Sequence, residues 1–155
     1  MGRRESRDAA VKMIFQQGFQ PDEEIMTEAM ISTFIDNAQY FDDDDTEKEN
    51  DLNYTKELDM PYLKNVLDGV FDNLDRLDTM INKHAKGWTI SRMARIDVAI
   101  LRVAVYEILY REDIPFSVSV NEAVELAKKY SHDGAGSFIN GILASIISEI
   151  EGANG

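Results

Sequence analysis

The chain has 155 residues, 44% of them hydrophobic and 29% charged. That balance fits one globular domain or two small halves sharing a core, and it excludes wholesale disorder and fibrous repeats. There is no cysteine, which excludes disulfides, thiolate metal sites and a cysteine nucleophile. The formal net charge of −13 argues at first against a nucleic-acid partner, but the charge is unevenly spread. Residues 20–82 hold 18 acids and 4 bases, while the rest of the chain holds 11 acids and 12 bases. Residues 83–102 carry Lys83, Lys86, Arg92, Arg95 and Arg102 against Asp97 alone, so a local basic patch is expected on an acidic body.

Apolar runs are interrupted by charge well short of the roughly 18 residues that a membrane span needs. The start, Met1 to Ser6, is basic and no apolar stretch follows it, so a secretory signal is not expected and the cytoplasm is the expected compartment. Gly2 and Ser6 match a myristoylation pattern, read here as an ordinary start ahead of a basic arm.

In chain order, Ala10, Val11, Ile14, Phe15 and Phe19 recur at helical spacing and predict a helix over about 5–19, ended by Gly18 and Pro21. Arg3, Arg4 and Arg7 precede this stripe or flank it, with Lys12 beside it. They read either as a mobile arm that grips phosphates through guanidinium groups or as a frayed, solvated terminus. A second helix is expected over about 22–40, opening on three acids that suit a helix N-terminus. Residues 42–51 carry seven acids and one lysine with no apolar residue, which predicts a solvated loop. They fail the calcium-loop template, so no metal site is expected there.

Leu63, Leu67, Val70, Leu74, Leu77 and Ile81 form a one-faced stripe that predicts a helix over about 60–85. Gly87 then marks the expected boundary between an N-terminal subdomain, 1–87, and a C-terminal one, 88–155. A helix over about 92–112, capped by Ser91, is apolar on nearly every side and should be buried among neighbours. Its charges, including Asp97, must snorkel, pair in the interior or face a partner. Pro115 ends it, and Ser119 with Glu122 forms a capping box for a helix through Tyr130. After a turn at 131–136, a last helix carries Phe138, Ile139, Ile142, Leu143, Ile146, Ile147 and Ile150 on one face. Phe138 reads either as core or as an aromatic that stacks on an unpaired base, and Asn140 as a group that reads a base edge. No stretch alternates like a strand, so the fold class is all-α, a bundle of about five to seven helices. His84 and His132 are not spaced as a metal pair, and no cofactor motif occurs.

Four blocks in order carry a resemblance: Arg95–Glu107 (RIDVAILRVAVYE), Asp113–Pro115 (DIP), Val120–Lys128 (VNEAVELAK) and Phe138–Leu143 (FINGIL). With the arginine-rich start Arg3–Val11 (RRESRDAAV), the chain resembles the bacterial NusB transcription antitermination family. The match is dense over 88–143 and 3–16, while residues 20–87 match only in helical pattern and in Trp88 at the boundary. The resemblance implies an all-helical protein of two subdomains that pairs with the ribosomal small-subunit protein NusE. Together the two would bind boxA-type single-stranded RNA and join the RNA polymerase antitermination complex on ribosomal RNA transcripts. It places Arg3, Arg4, Arg7, Lys12, Phe138 and Asn140 at the RNA surface, and Phe15 and Asp97 where the family meets its protein partner. Some members are homodimers, so self-association is a further partner state that the resemblance implies. Two departures, Glu5 within the basic arm and Gly134–Ser137 where relatives often carry a basic residue, imply weaker phosphate grip or more dependence on the partner. A protein adaptor without direct RNA contact is the alternative. The same helical module is known ahead of RNA methyltransferase domains, but no alternating strand–helix pattern occurs in this chain, so an enzyme is not expected.

Overall fold

The computed structural model describes residues 2–17 and 58–154. The helix expected over 22–40 and the acidic segment 42–51 lie outside the described residues. The described residues form six α-helices: α1 (Arg3–Gln17), α2 (Met60–Asp72), α3 (Leu74–His84), α4 (Arg95–Tyr110), α5 (Phe116–Tyr130) and α6 (Ala135–Asn154). A 3-10 turn, Ile90–Arg92, lies between α3 and α4. The chain packs as two units, Met1–Asp68 and Gly69–Gly155. The sequence places a subdomain boundary at Gly87, whereas this division falls inside α2. The last turn of α2 goes with the second unit because Gly69 lies directly against Tyr106, where an added Cβ would stand 2.2 Å from the ring.

In the first unit, α1 begins at Arg3, so the basic residues belong to the opening turns of a helix and are not an arm ahead of one. Ala9, Ala10, Val11, Met13 and Ile14 are buried, as are Tyr62, Leu63, Val66 and Leu67 of α2. Asp59 starts α2: its carboxylate accepts the Tyr62 N–H at 3.1 Å, the side-chain capping that satisfies one of the helix's orphan donors. Its own N–H donates to the Ser6 hydroxyl at 2.6 Å, which ties α2 to α1.

In the second unit, α4 touches α3, α5 and α6. Twelve consecutive residues, Asp97 to Ile108, are buried, as its all-round apolar sequence requires. The single helix expected over 60–85 is two helices meeting at Asn73. The Asn73 side chain donates to the Gly69 carbonyl at 2.8 Å and competes with the ladder, a local cause for the break. Two expected caps also differ. Ser91 bonds Thr89 and caps nothing; α4 begins at Arg95 instead. Pro115, not Ser119, precedes α5, because proline's fixed φ and missing N–H suit a helix entrance. Ser119 therefore lies inside α5, buried, and its hydroxyl donates to Glu107 Oε1 at 2.8 Å.

Candidate nucleic-acid interface

The first unit carries the arginine-rich segment. Arg3 Nε donates to Asp59 Oδ2 at 3.2 Å, and the Arg3 guanidinium lies 4.6 Å from the Tyr62 ring centroid. Arg7 approaches the same ring at 5.5 Å and is only 3% exposed. These two guanidinium groups therefore hold α1 to the start of α2 through cation–π and charge-assisted contacts. Burial pushes Asp59 up, but the Tyr62 N–H and the Arg3 guanidinium outweigh it and hold the carboxyl below its usual value. Arg4 is exposed, and Lys12 pairs with Asp8 at 3.6 Å. Phe15 is 39% exposed, an outward aromatic beside the buried Ala10, Val11 and Ile14.

The second unit sorts the basic stretch 83–102. Arg102, nearly buried in α4, grips Asp78 of α3 through Nε and one terminal nitrogen, both at 2.9 Å. Lys83 pairs with Glu149, which also accepts from His84 Nε2 at 3.2 Å. Lys83 and His84 hold Glu149 below its ordinary value against the effect of burial. When His84 is neutral with Nε2–H facing Glu149, Nδ1 accepts from the Ser145 hydroxyl at 2.7 Å, so this cluster pins α3 to α6. Arg95 is exposed at the start of α4. Lys86 and Arg92 are exposed and have no carboxylate partner among the described residues.

Between those two cations stands Trp88, 52% exposed. Its ring meets Phe138 edge to face, with centroids 6.2 Å apart and planes at 74°. Phe138 is thus half-buried at the start of α6, between the core and surface readings of the sequence. Asn140 is exposed on the other side of α6, where Asn121, Lys128, Ser137 and Asn140 line a shallow groove of 410 Å³ between α5 and α6. Gly136 and Val124 lie in the same groove, where an added Cβ at Gly136 would make an ordinary 3.4 Å contact with Val124. Beyond Asn140 this groove is not legible in the sequence, since its walls come from two helices separated by a turn. In the sequence Trp88 reads only as a boundary residue; Gly87 before it and the flanking bases are the signal for a surface role.

Asp97 is 2% exposed and finds its partners inside the chain. It accepts the Ser131 hydroxyl at 2.6 Å, and His132 Nε2 stands 3.6 Å away. Both belong to the turn between α5 and α6, which only tertiary packing brings to the start of α4. Among the described residues no group of three or more His, Asp or Glu side chains is placed to hold a metal ion, and no helix is long and apolar enough to cross a membrane.

The described residues define an all-helical protein in which some cations are tied up in internal ion pairs while others, with Trp88, face outward. The family model described as NusB family matches residues 4–148, and the chain belongs to the NusB family. It is 44% identical over 94% of its length to the transcription antitermination protein NusB of Ruminiclostridium cellulolyticum, covering 88% of that protein. It is 46% identical over 95% of its length to the transcription antitermination protein NusB of Acetivibrio thermocellus, covering 89% of it. Among solved structures, NusB of T. maritima superposes with a TM-score of 0.69 at 31% identity, over 95% of this chain and 91% of that one. A structure of the antitermination factors NusB and NusE in complex with dsRNA shares the fold, with a TM-score of 0.71 at 20% identity over 96% of this chain and 97% of that one.

Proposed function

We propose that this protein is a transcription antitermination factor that binds boxA-type single-stranded RNA together with the ribosomal protein NusE and so supports transcription of ribosomal RNA. The observation that carries this reading is the match to NusB proteins across nearly the whole chain. The work is recognition and not catalysis, and it takes place in the cytoplasm. Cations hold phosphates while polar and aromatic side chains read unpaired bases. Arg4 and Lys12 on α1 and Phe138 and Asn140 on α6 are the RNA-facing candidates, with Arg3 and Arg7 setting the orientation of α1. Phe15 and Asp97 are the candidates for the protein partner; Asp97 acts there by fixing the 131–134 turn.

The test is a gel shift with a short boxA-type RNA, with and without purified NusE. Retention of the RNA, strengthened by NusE, is the expected result, and Arg4→Ala lowers the salt slope of binding. One observation favours a second reading, a protein adaptor without direct RNA contact: Arg3 and Arg7 already have partners in the fold. RNA retained under neither condition, with NusE still bound, would establish that reading.

A further inference from the structure

We propose that the turn from Ala85 to Arg92 is a second RNA-contact element: Trp88 and Phe138 offer an aromatic platform to an unpaired base, while Lys86 and Arg92 take the adjoining phosphates. This rests on the RNA-binding reading above, which already includes Phe138, and adds Trp88, Lys86 and Arg92 beside it.

The geometry starts from the backbone. After α3 ends at His84, Lys86 has φ +43° and Gly87 φ +92°. Two successive left-handed residues reverse the chain, and the first of them is not glycine, a conformation that L side chains adopt only where the surroundings impose it. The Asn82 side chain, which accepts the Ile90 N–H at 2.8 Å, closes the turn from the other side. The result is that Trp88 leaves the helix outward and stays 52% exposed, more than any other large hydrophobic residue among those described. A half-exposed indole keeps a large apolar area in water, and an occupant that covers it gains the burial.

Two observations select the occupant. Trp88, half-exposed and set edge to face against the partly exposed Phe138, offers aromatic surface on which a nucleobase of any kind stacks. The ion pairs of the region then decide its charge. Lys83 is matched by Glu149 and Arg102 by Asp78, while Lys86 and Arg92, two residues before Trp88 and four after it, have no carboxylate partner among the described residues. Aromatic faces bracketed by uncompensated cations match the chemistry of single-stranded nucleic acid, with its alternating base and phosphate. An apolar protein segment would use the rings but leave the two cations unanswered.

Trp88 is the only tryptophan in the chain, so it reports on itself. The protein is prepared with 5-fluorotryptophan, mixed with unlabelled NusE, and titrated with a short single-stranded boxA-type RNA while the fluorine resonance is followed. The expected result is a shift of that resonance on adding RNA. Trp88→Phe keeps most of the affinity, and Trp88→Ala loses about fivefold or more. The double variant Lys86→Ala with Arg92→Ala lowers the slope of log affinity against log salt by about 1.4, the value for two phosphate contacts on a single strand. RNA retained in a gel shift with the resonance unmoved would overturn the inference and leave the RNA-binding reading standing. A resonance that moves with NusE alone, and no further on adding RNA, would overturn it in favour of a protein contact. RNA retained under no condition would remove both.

Discussion

The Arg102 guanidinium of α4 lies against the Asp78 carboxylate of α3 in a two-pronged contact, both hydrogen bonds 2.9 Å long. Arg102 belongs to the most basic stretch of the chain and to its most family-like block, yet its charge is answered inside the fold. Its side chain is 9% exposed and that of Asp78 25%. Replacing Asp78 with Ala leaves a nearly buried cation alone, which in a fully buried pair costs about 3–5 kcal/mol and here somewhat less. Urea denaturation of Asp78→Ala should show a lower midpoint, whereas the salt slope of RNA binding should not change.

Gly69 sits where α2 meets Tyr106, and a Cβ there would fall 2.2 Å from two ring carbons. Tyr106 in turn stacks on Tyr110 at 5.2 Å, and the Tyr110 hydroxyl donates to Asn73, so the ring cannot swing away without disturbing the helix break. Gly69→Ala should destabilise by about 1–3 kcal/mol through overpacking, even though alanine is the better helix former. A thermal melt of the variant checks it; an unchanged or raised Tm would show that the tyrosine pair yields freely.

Ser119 and Glu107 share a buried hydrogen bond between α5 and α4. Ser119→Ala removes a donor from a fully buried carboxylate, and the loss should be about 1–3 kcal/mol. Glu107→Gln with Ser119 intact keeps an acceptor for the hydroxyl and should cost less. Chemical denaturation of the two variants gives the comparison, and the opposite ranking would contradict it.

Asp59 and Glu149 both lie below their usual values in the folded protein. A carboxyl whose folded value is depressed contributes stability above its unfolded value and loses it as the pH falls through the folded one. Acidification from neutral should therefore lower stability progressively below the ordinary carboxylate range, near pH 4 and beneath it. Arg3→Ala should raise the Asp59 titration midpoint, read by carboxyl carbon NMR, and should leave Glu149 where it is.

Asp97 separates a structural role from a partner contact. Asp97→Asn keeps the size and an acceptor for Ser131 but removes the charge facing His132. If Asp97 acts by holding the 131–134 turn, stability and NusE affinity fall together. A loss of NusE affinity at unchanged Tm would show that the carboxylate meets the partner directly.

The helices were legible in the sequence wherever one face carried the hydrophobic load. The stripe from Leu63 to Ile81, the all-round apolar run of α4 and the Ile-rich face of α6 each predicted burial that the fold largely realises, with Leu74, Ile147 and Ile150 only half-buried. That pattern is local: it depends on residues three and four apart, and so the sequence by itself determined the all-α class and, through its ordered blocks, the family. The fate of each charge was not legible, because an ion pair joins residues far apart in the chain. Arg3 meets Asp59, Arg102 meets Asp78 and Asp97 meets Ser131, and no spacing rule reports such encounters. The expected cap at Ser119 belongs to the same class, since its hydroxyl found a buried partner on another helix that only folding supplied. Tertiary structure alone decided which cations remain outward, because a guanidinium is available to a phosphate only when no carboxylate of its own fold is closer.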